Sequence, residues 1–202
     1  MTKEELDRQI ALIVTQKFIG KRDGNMIREL AKKLAEKAHE GQFRKWSNPP
    51  QPYIVHPIRV ADKVASLKGT NDIDVSAAYL HDVLEDCGEQ YAPKILELCG
   101  EEVLNLVREL TFETEGAEWA GKPRAEKNKV RFAHMRSMSP RSQVIKLVDR
   151  WDNLLDMKNA PHKLIHKTVD ESYVLLEICG PADPDMAKEL ETVIKKVEKG
   201  RA

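Results

Sequence analysis

The amino-acid sequence predicts an all-α fold, a bundle of roughly eight to ten helices, on two observations. Apolar residues return at helical spacing in almost every segment of the chain. The segments are separated by helix punctuation: an Asp, Asn or Ser before an apolar run and a Gly or Pro after it. Size supports a single unit, because 202 residues that are 41% hydrophobic suffice for one substantial core and make a second domain improbable. One domain over residues 1–202 is therefore expected.

Leu6, Ile10, Ile13, Val14 and Phe18 repeat helically, and Gly20 stops them. Asp23 caps a second helix whose stripe is Met26, Ile27, Leu30, Ala31, Leu34, Ala35 and Ala38, ending near Gly41. From Arg44 to Pro52 the three prolines Pro49, Pro50 and Pro52 exclude a helix, so Arg44, Lys45 and Trp46 stand on a stiffened loop. This basic pair is either solvated or placed to hold a phosphate beside a stacking Trp. Pro57 suits the first turn of a helix carrying Val60, Val64 and Leu67 inward, with His56 at its entrance. Asn71, Asp72 or Asp74 caps the next helix, which Gly88 ends, and Tyr91–Cys99 and Glu101–Thr111 follow on either side of Gly100. Phe112 to Arg124 lacks periodicity and reads as a loop, a candidate lid. Ala125–Met138 is basic but helix-compatible. Ser139-Pro140 then opens the most strongly patterned helix, with Val144, Leu147, Val148, Trp151, Leu154 and Leu155 as its apolar face. Leu164–Cys179 and Met186–Val197 close the chain, joined by the Gly180–Pro184 turn, with His162 and His166 in solvent.

Charge narrows the function classes. Thirty-three Lys and Arg balance 33 Asp and Glu, so no global field recruits nucleic acid or an anionic membrane. No apolar run reaches the roughly 18 residues of a membrane span, and Met1–Glu5 is too charged for a signal peptide; a cytoplasmic protein is expected. Cys87, Cys99 and Cys179 are widely spaced and form no Cys-x-x-Cys, which suits buried reduced thiols without a catalytic role.

The chemistry concentrates between Ala77 and Cys87, where His81, Asp82, Glu85 and Asp86 interrupt an apolar stretch. Read as one helix, this segment stacks Glu85 a turn beyond His81 and Asp86 a turn beyond Asp82, on one strip, with Leu80, Val83 and Leu84 on the buried side. Three carboxylates so close repel one another, and a divalent cation would relieve them; the bland alternative is a solvated acidic face. A second such place is Asp149, bordered by Leu147, Val148 and Trp151, with Asp152 and Asn153 three and four residues on. His56, His81, Asp82 and Asp149 thus offer two imidazoles and two carboxylates, a mixed set suited to catalytic Mn²⁺, Fe²⁺ or Zn²⁺, although a lone histidine such as His56 is as readily a capping or core residue. Glu85 or Asp86 could act as a base, and Arg44, Lys45, Lys146 and Arg150 are available counter-charges.

Four runs carry a resemblance: Gly41-Gln42-Phe43-Arg44-Lys45, Tyr53-Ile54-Val55-His56-Pro57, His81-Asp82-Val83-Leu84-Glu85-Asp86 and Lys146-Leu147-Val148-Asp149-Arg150-Trp151-Asp152-Asn153-Leu154. In this order the chain resembles the HD-domain metal-dependent phosphohydrolases, and within them the hydrolase domain of the RelA/SpoT family and the single-domain small alarmone hydrolases. The core motifs span about residues 26–158, with closing helices over about 161–199. The resemblance implies an all-α HD-domain bundle and manganese-dependent removal of the 3′-pyrophosphate from (p)ppGpp. It implies one Mn²⁺ on His56, His81, Asp82 and Asp149, with Glu85 and Asp86 orienting and deprotonating water, Arg44 and Lys45 flanking the nucleotide, and Asn153 contacting it. No counterpart of the family's synthetase domain is expected. Trp46 stands where the family has a small residue, and Phe112–Arg124 departs from its pattern. Two other readings are held beside this one: a phosphohydrolase of another nucleotide (a nucleoside 5′-monophosphate, NADPH or a dinucleotide), and a non-enzymatic helical interaction module.

Overall fold

The computed structural model describes residues 23–112, 119 and 121–200. Those residues are helical almost throughout, and their one β-type pairing is an isolated bridge between Phe43 and Pro52. The helix expected over Leu6–Phe18 lies outside the described residues, as does most of the Phe112–Arg124 loop.

Helix α1 (Gly24–Ala38) begins as expected, with Asp23 accepting from Met26 N at 2.8 Å, and buries Leu30, Ala31, Leu34 and Ala35. Helix α2 (Val55–Ala65) buries His56, Val60 and Val64. Helix α3 (Asp72–Leu80) starts with a reciprocal cap, in which Asn71 Oδ1 accepts from Ile73 N and Asp74 Oδ2 accepts from Asn71 N, both at 2.8 Å. The acidic segment is not one helix through to Gly88. It breaks at His81-Asp82, after which α4 (Val83–Cys87) runs a single turn to Gly88, whose φ of 98° is open to glycine. Asp82 has φ −99° and ψ −5°, a sparsely populated region common at active sites.

Helices α5 (Ala92–Cys99), α6 (Glu101–Leu110) and α7 (Arg124–Ser137) follow, then α8 (Pro140–Leu155), capped by Ser139. Helices α9 (His162–Cys179) and α10 (Pro184–Lys199) complete the described chain. Helix α3 is the axis: α1, α2 and α6 pack on it, while α8 joins α2 to α9 and α10. Most apolar positions expected inside are buried; Met26, Ile27, Ala38, Leu67, Val144 and Trp151 are partly buried, and Leu155 is 46% exposed because α8 turns it away from the core at its last residue. Cys99 and Cys179 are buried as expected, whereas Cys87, the last residue of α4, is only half-buried. None of the described helices is long and apolar enough to cross a membrane.

Candidate metal centre and nucleotide cleft

Three elements deliver the polar groups to one point. The first turn of α2 brings His56, the break after α3 brings His81 and Asp82, and the middle of α8 brings Asp149. Ligand atoms of His56, His81 and Asp149 all lie within 4.8 Å of one another. Asp82 Oδ2 stands 3.5 Å from His56 Nε2 and 3.0 Å from His81 Nε2, and Asp149 Oδ1 stands 3.2 and 3.7 Å from the same two nitrogens. His56, His81 and Asp149 are buried; Asp82 is half-buried.

The hydrogen bonds behind these atoms fix what the site offers. His56 Nδ1 meets Asp152 Oδ2 at 2.6 Å, and His81 Nδ1 meets the Ala78 carbonyl at 2.8 Å. A carboxylate and a carbonyl only accept, so each Nδ1 carries the proton and each Nε2 turns a lone pair to the centre. Both Nε2 atoms are buried and lack a hydrogen-bond partner, because the nearby carboxylates do not meet them in bonding geometry. Buried polar nitrogens without partners call for a ligand, and two facing two carboxylates call for a cation. Titration agrees. Burial works to lower both imidazoles, but the carboxylates, Asp149 and Asp152 for His56 and Asp82 for His81, outweigh it: His56 is raised well above its ordinary value and His81 is pushed up to about 9. Burial likewise opposes Asp82 and Asp149, yet His81 beside the first and Lys146 beside the second hold both well below the usual carboxylate range.

A cleft of about 650 Å³ opens beside the centre, a size suited to a small organic ligand. The Arg44–Pro52 loop forms one wall, pinned at its base by Arg44 N→Gln51 O and Tyr53 N→Gln42 O, both 2.9 Å. Arg44 donates to Asn153 Oδ1 at 2.8 Å and Asp156 Oδ2 at 3.1 Å, and Asn153 Nδ2 donates to Asp149 Oδ1 at 2.5 Å. Arg44 and Asn153 are thereby one relay from cleft to centre. Lys45 and Phe43 are exposed at the cleft wall, and Trp46 is half-buried.

The structure separates Glu85 from Asp86, which the sequence places on one strip. Asp86 lines the large cleft, whereas Glu85 lines a smaller cavity with Lys146 and accepts from Phe112 N at 3.4 Å. Consecutive residues of one helix project about 100° apart, so the two carboxylates leave α4 in different directions. Both lie near the mouth yet among enough protein that burial first, and Asp82 in addition, raises both carboxyls, while Lys146 pulls Glu85 back.

Three contributors are absent from the sequence reading or undervalued by it. Tyr53 donates its hydroxyl to Asp82 Oδ2 at 2.6 Å; burial and Asp82 raise that phenol, so it stays a donor. Asp152, fully buried, is held by Arg59 Nε at 2.6 Å and in turn orients His56. The signal was spacing: Asp152 stands three residues from Asp149, and Arg59 three from His56, on the same helical faces. The third is Arg150, named above only as an available counter-charge, whose Nε is buried without a hydrogen-bond partner.

A family model described as "HD domain" matches residues 31–175. The chain belongs to the HD-domain family. Its relatives include the guanosine-3′,5′-bis(diphosphate) 3′-pyrophosphohydrolase MESH1 of Xenopus tropicalis, 34% identical over 138 residues, 67% of this chain and 72% of that protein. The GTP pyrophosphokinase of Streptomyces coelicolor is 31% identical over 153 residues, 76% of this chain but only 17% of that much longer protein. Among solved structures, a metazoan ortholog of SpoT that hydrolyzes ppGpp superposes with a TM-score of 0.65 at 25% identity, covering 91% of this chain and 99% of that one. This HD-domain chain is of the RelA/SpoT hydrolase type that its four motifs resemble, and its all-α fold is the one expected.

Proposed function

We propose that this HD-domain protein is a metal-dependent hydrolase that removes the 3′-pyrophosphate from guanosine tetra- or pentaphosphate. The observation that carries the reading is the pair of buried Nε2 atoms without partners, facing Asp82 and Asp149 at the edge of a cleft of about 650 Å³. The relatives named for this reaction support it.

His56, His81, Asp82 and Asp149 would hold one divalent ion, Mn²⁺ by the family resemblance, with Fe²⁺ or Zn²⁺ compatible with the same donors. Such an ion, when bound, supplies charge neutralisation at a phosphate and a more acidic water. The protein's own residues do the rest. In the net reaction a water hydroxyl joins the phosphorus attached to the ribose 3′-oxygen, that P–O bond breaks, and the other proton ends on the 3′-oxygen. Glu85 and Asp86, both with raised carboxyls, approach from two sides, one to take the water's proton and the other to orient it. Tyr53 and Asn153 hold Asp82 and Asp149 in place from behind. Arg44, Lys45 and Asn153 would contact the nucleotide, and Trp46 would border it. A single domain and a cytoplasmic location belong to the same reading.

Chromatography of ppGpp incubated with the protein and Mn²⁺ should show GDP and pyrophosphate, and the same assay with Fe²⁺, Zn²⁺ and Mg²⁺ ranks the metals. A protein that leaves ppGpp intact while hydrolysing NADPH or a nucleoside monophosphate would replace the substrate and keep the chemistry. Trp46 and the Phe112–Arg124 segment, where the chain departs from the family pattern, are what favour running that panel.

A further inference from the structure

A second, smaller cavity, about 70 Å³, shares Arg150 with the nucleotide cleft but opens on Glu85 instead of Asp86. It is too small for a nucleoside. Its polar lining is Glu85 against four basic side chains, Arg131, His134, Lys146 and Arg150. Two of the full cations are already engaged by carboxylates: Lys146 Nζ lies 2.9 Å from Asp149 Oδ2, and Arg131 Nη2 lies 2.7 Å from Glu171 Oε2. His134 is engaged as well, its Nε2 2.7 Å from the Glu109 carbonyl.

Arg150 is different. Among the described residues it makes no ion pair, its Nε is buried with no hydrogen-bond partner, and Arg131 Nε across the cavity is equally unsatisfied. A guanidinium stays charged in proteins, and burying one of its N–H groups without an acceptor is unfavourable. One guanidinium without an ion pair, facing the open Nε of Arg131 across a small cavity beside the candidate metal centre, matches the fork geometry with which arginine grips phosphate oxygens.

We propose that this cavity is a phosphate subsite distinct from the nucleotide cleft, and that Arg150 reads the distal phosphate of the 3′-diphosphate, the end that leaves as pyrophosphate. The inference rests on the hydrolase reading above. The nucleoside occupies the large cleft, the phosphate chain crosses the metal centre, and its far end meets Arg150 and Arg131 in the small cavity. Arg150 then selects diphosphate over monophosphate esters and holds the leaving group apart from Asp86.

The test compares two probes on the Mn²⁺-loaded protein at fixed free Mn²⁺, inorganic pyrophosphate and GDP, each read by thermal shift and by inhibition of ppGpp turnover. Arg150→Met should weaken pyrophosphate about tenfold or more, the loss of a charge-assisted bond, and leave GDP within about twofold. Arg150→Lys should recover part of the pyrophosphate effect, which separates lost charge from a disturbed fold. Equal weakening of both probes, or loss of GDP with pyrophosphate retained, would overturn the assignment. The thermal readout needs no turnover: if ppGpp is not the substrate, a pyrophosphate shift lost in Arg150→Met still supports the subsite while the hydrolase reading fails.

Discussion

The two ends of α3 make opposite use of buried charge. At its N-terminus Asp74, 4% exposed, accepts from Asn71 N and from Arg141 Nε at 2.6 Å, while Arg141 also reaches Glu102 and Asn71. Every strong group there has its partner. At the C-terminus, about 13 Å away at 1.5 Å per residue, His81 and Asp82 face His56 and Asp149, and two imidazole nitrogens remain without partners. Both ends tie α3 to α8, one through Arg141 and the other through Asp149. A closed network holds a fold together; one left open by two lone pairs and two carboxylates is built for something that arrives later.

The hardest break is Asp149→Ala. It removes a proposed ligand and should abolish Mn²⁺-dependent hydrolysis together with the metal's stabilisation, which follows RT ln(1 + [L]/Kd) in the parent. The Tm of the parent should therefore fall on chelation and that of the variant should not respond. If the variant still binds Mn²⁺ as tightly as the parent, the ligand set is wrong.

Next come the two carboxylates that the structure turns apart. Glu85→Gln should lower kcat by roughly 10²- to 10⁴-fold, as for a lost general base, with metal content intact. Asp86→Asn, on the cleft side, should lower kcat by a smaller factor, because it orients the water without taking its proton. Calorimetric Mn²⁺ titration and steady-state kinetics on the same preparations decide it, and a reversed pattern would exchange the two roles.

How much of this was legible in the sequence follows the same division. Residues whose types are rare inside helices were readable: His81-Asp82 among alanines and leucines, Asp149 between Val148 and Trp151, Arg44-Lys45 on a proline-stiffened loop. Apolar periodicity gave the helices and most of the core. What spacing could not supply was the break after Leu80, because His81 and Asp82 keep near-helical dihedrals and differ from a helix only in the turn they share. Glu85 and Asp86 reach different cavities because neighbours on a helix project about 100° apart. Arg150 was equally opaque, since burial of a guanidinium depends on what α7 and α9 bring against it. Tyr53 and Asp152 contact residues 29 and 96 positions away; spacing puts Asp152 on the face of Asp149, but nothing in a single sequence names its partner His56.

The supports offer an intermediate case. Asp152→Asn keeps the size but removes the carboxylate that fixes the His56 tautomer, and outer-sphere partners of this kind typically change metal affinity by about 10- to 100-fold. Competition with a metallochromic chelator would measure it. His81, whose Nδ1 is held by the Ala78 backbone, has no side chain to remove, so the two histidines differ in how they can be disturbed. Unchanged affinity in Asp152→Asn would mean that Arg59 and packing alone hold the ring.

The smallest effect on chemistry should come from the closed end of α3. Asp74→Ala removes the acceptor for Asn71 N and for Arg141, opening the reciprocal cap and leaving Arg141 its contacts to Glu102 and Asn71. Losing half of the reciprocal cap and one partly buried pair together is worth about 2 kcal/mol. At roughly 2–4 °C per kcal/mol for a chain of this size, Tm should fall by roughly 4–8 °C. Mn²⁺ affinity and kcat, measured well below the lowered Tm, should stay within about twofold, because the change is separated from His81 by the length of α3. A Tm loss of that size with unchanged chemistry would establish the contrast between the two ends. A matching loss of metal affinity would show instead that the cap sets the position of His81 and Asp82 through the helix, and that the ends of α3 are not independent.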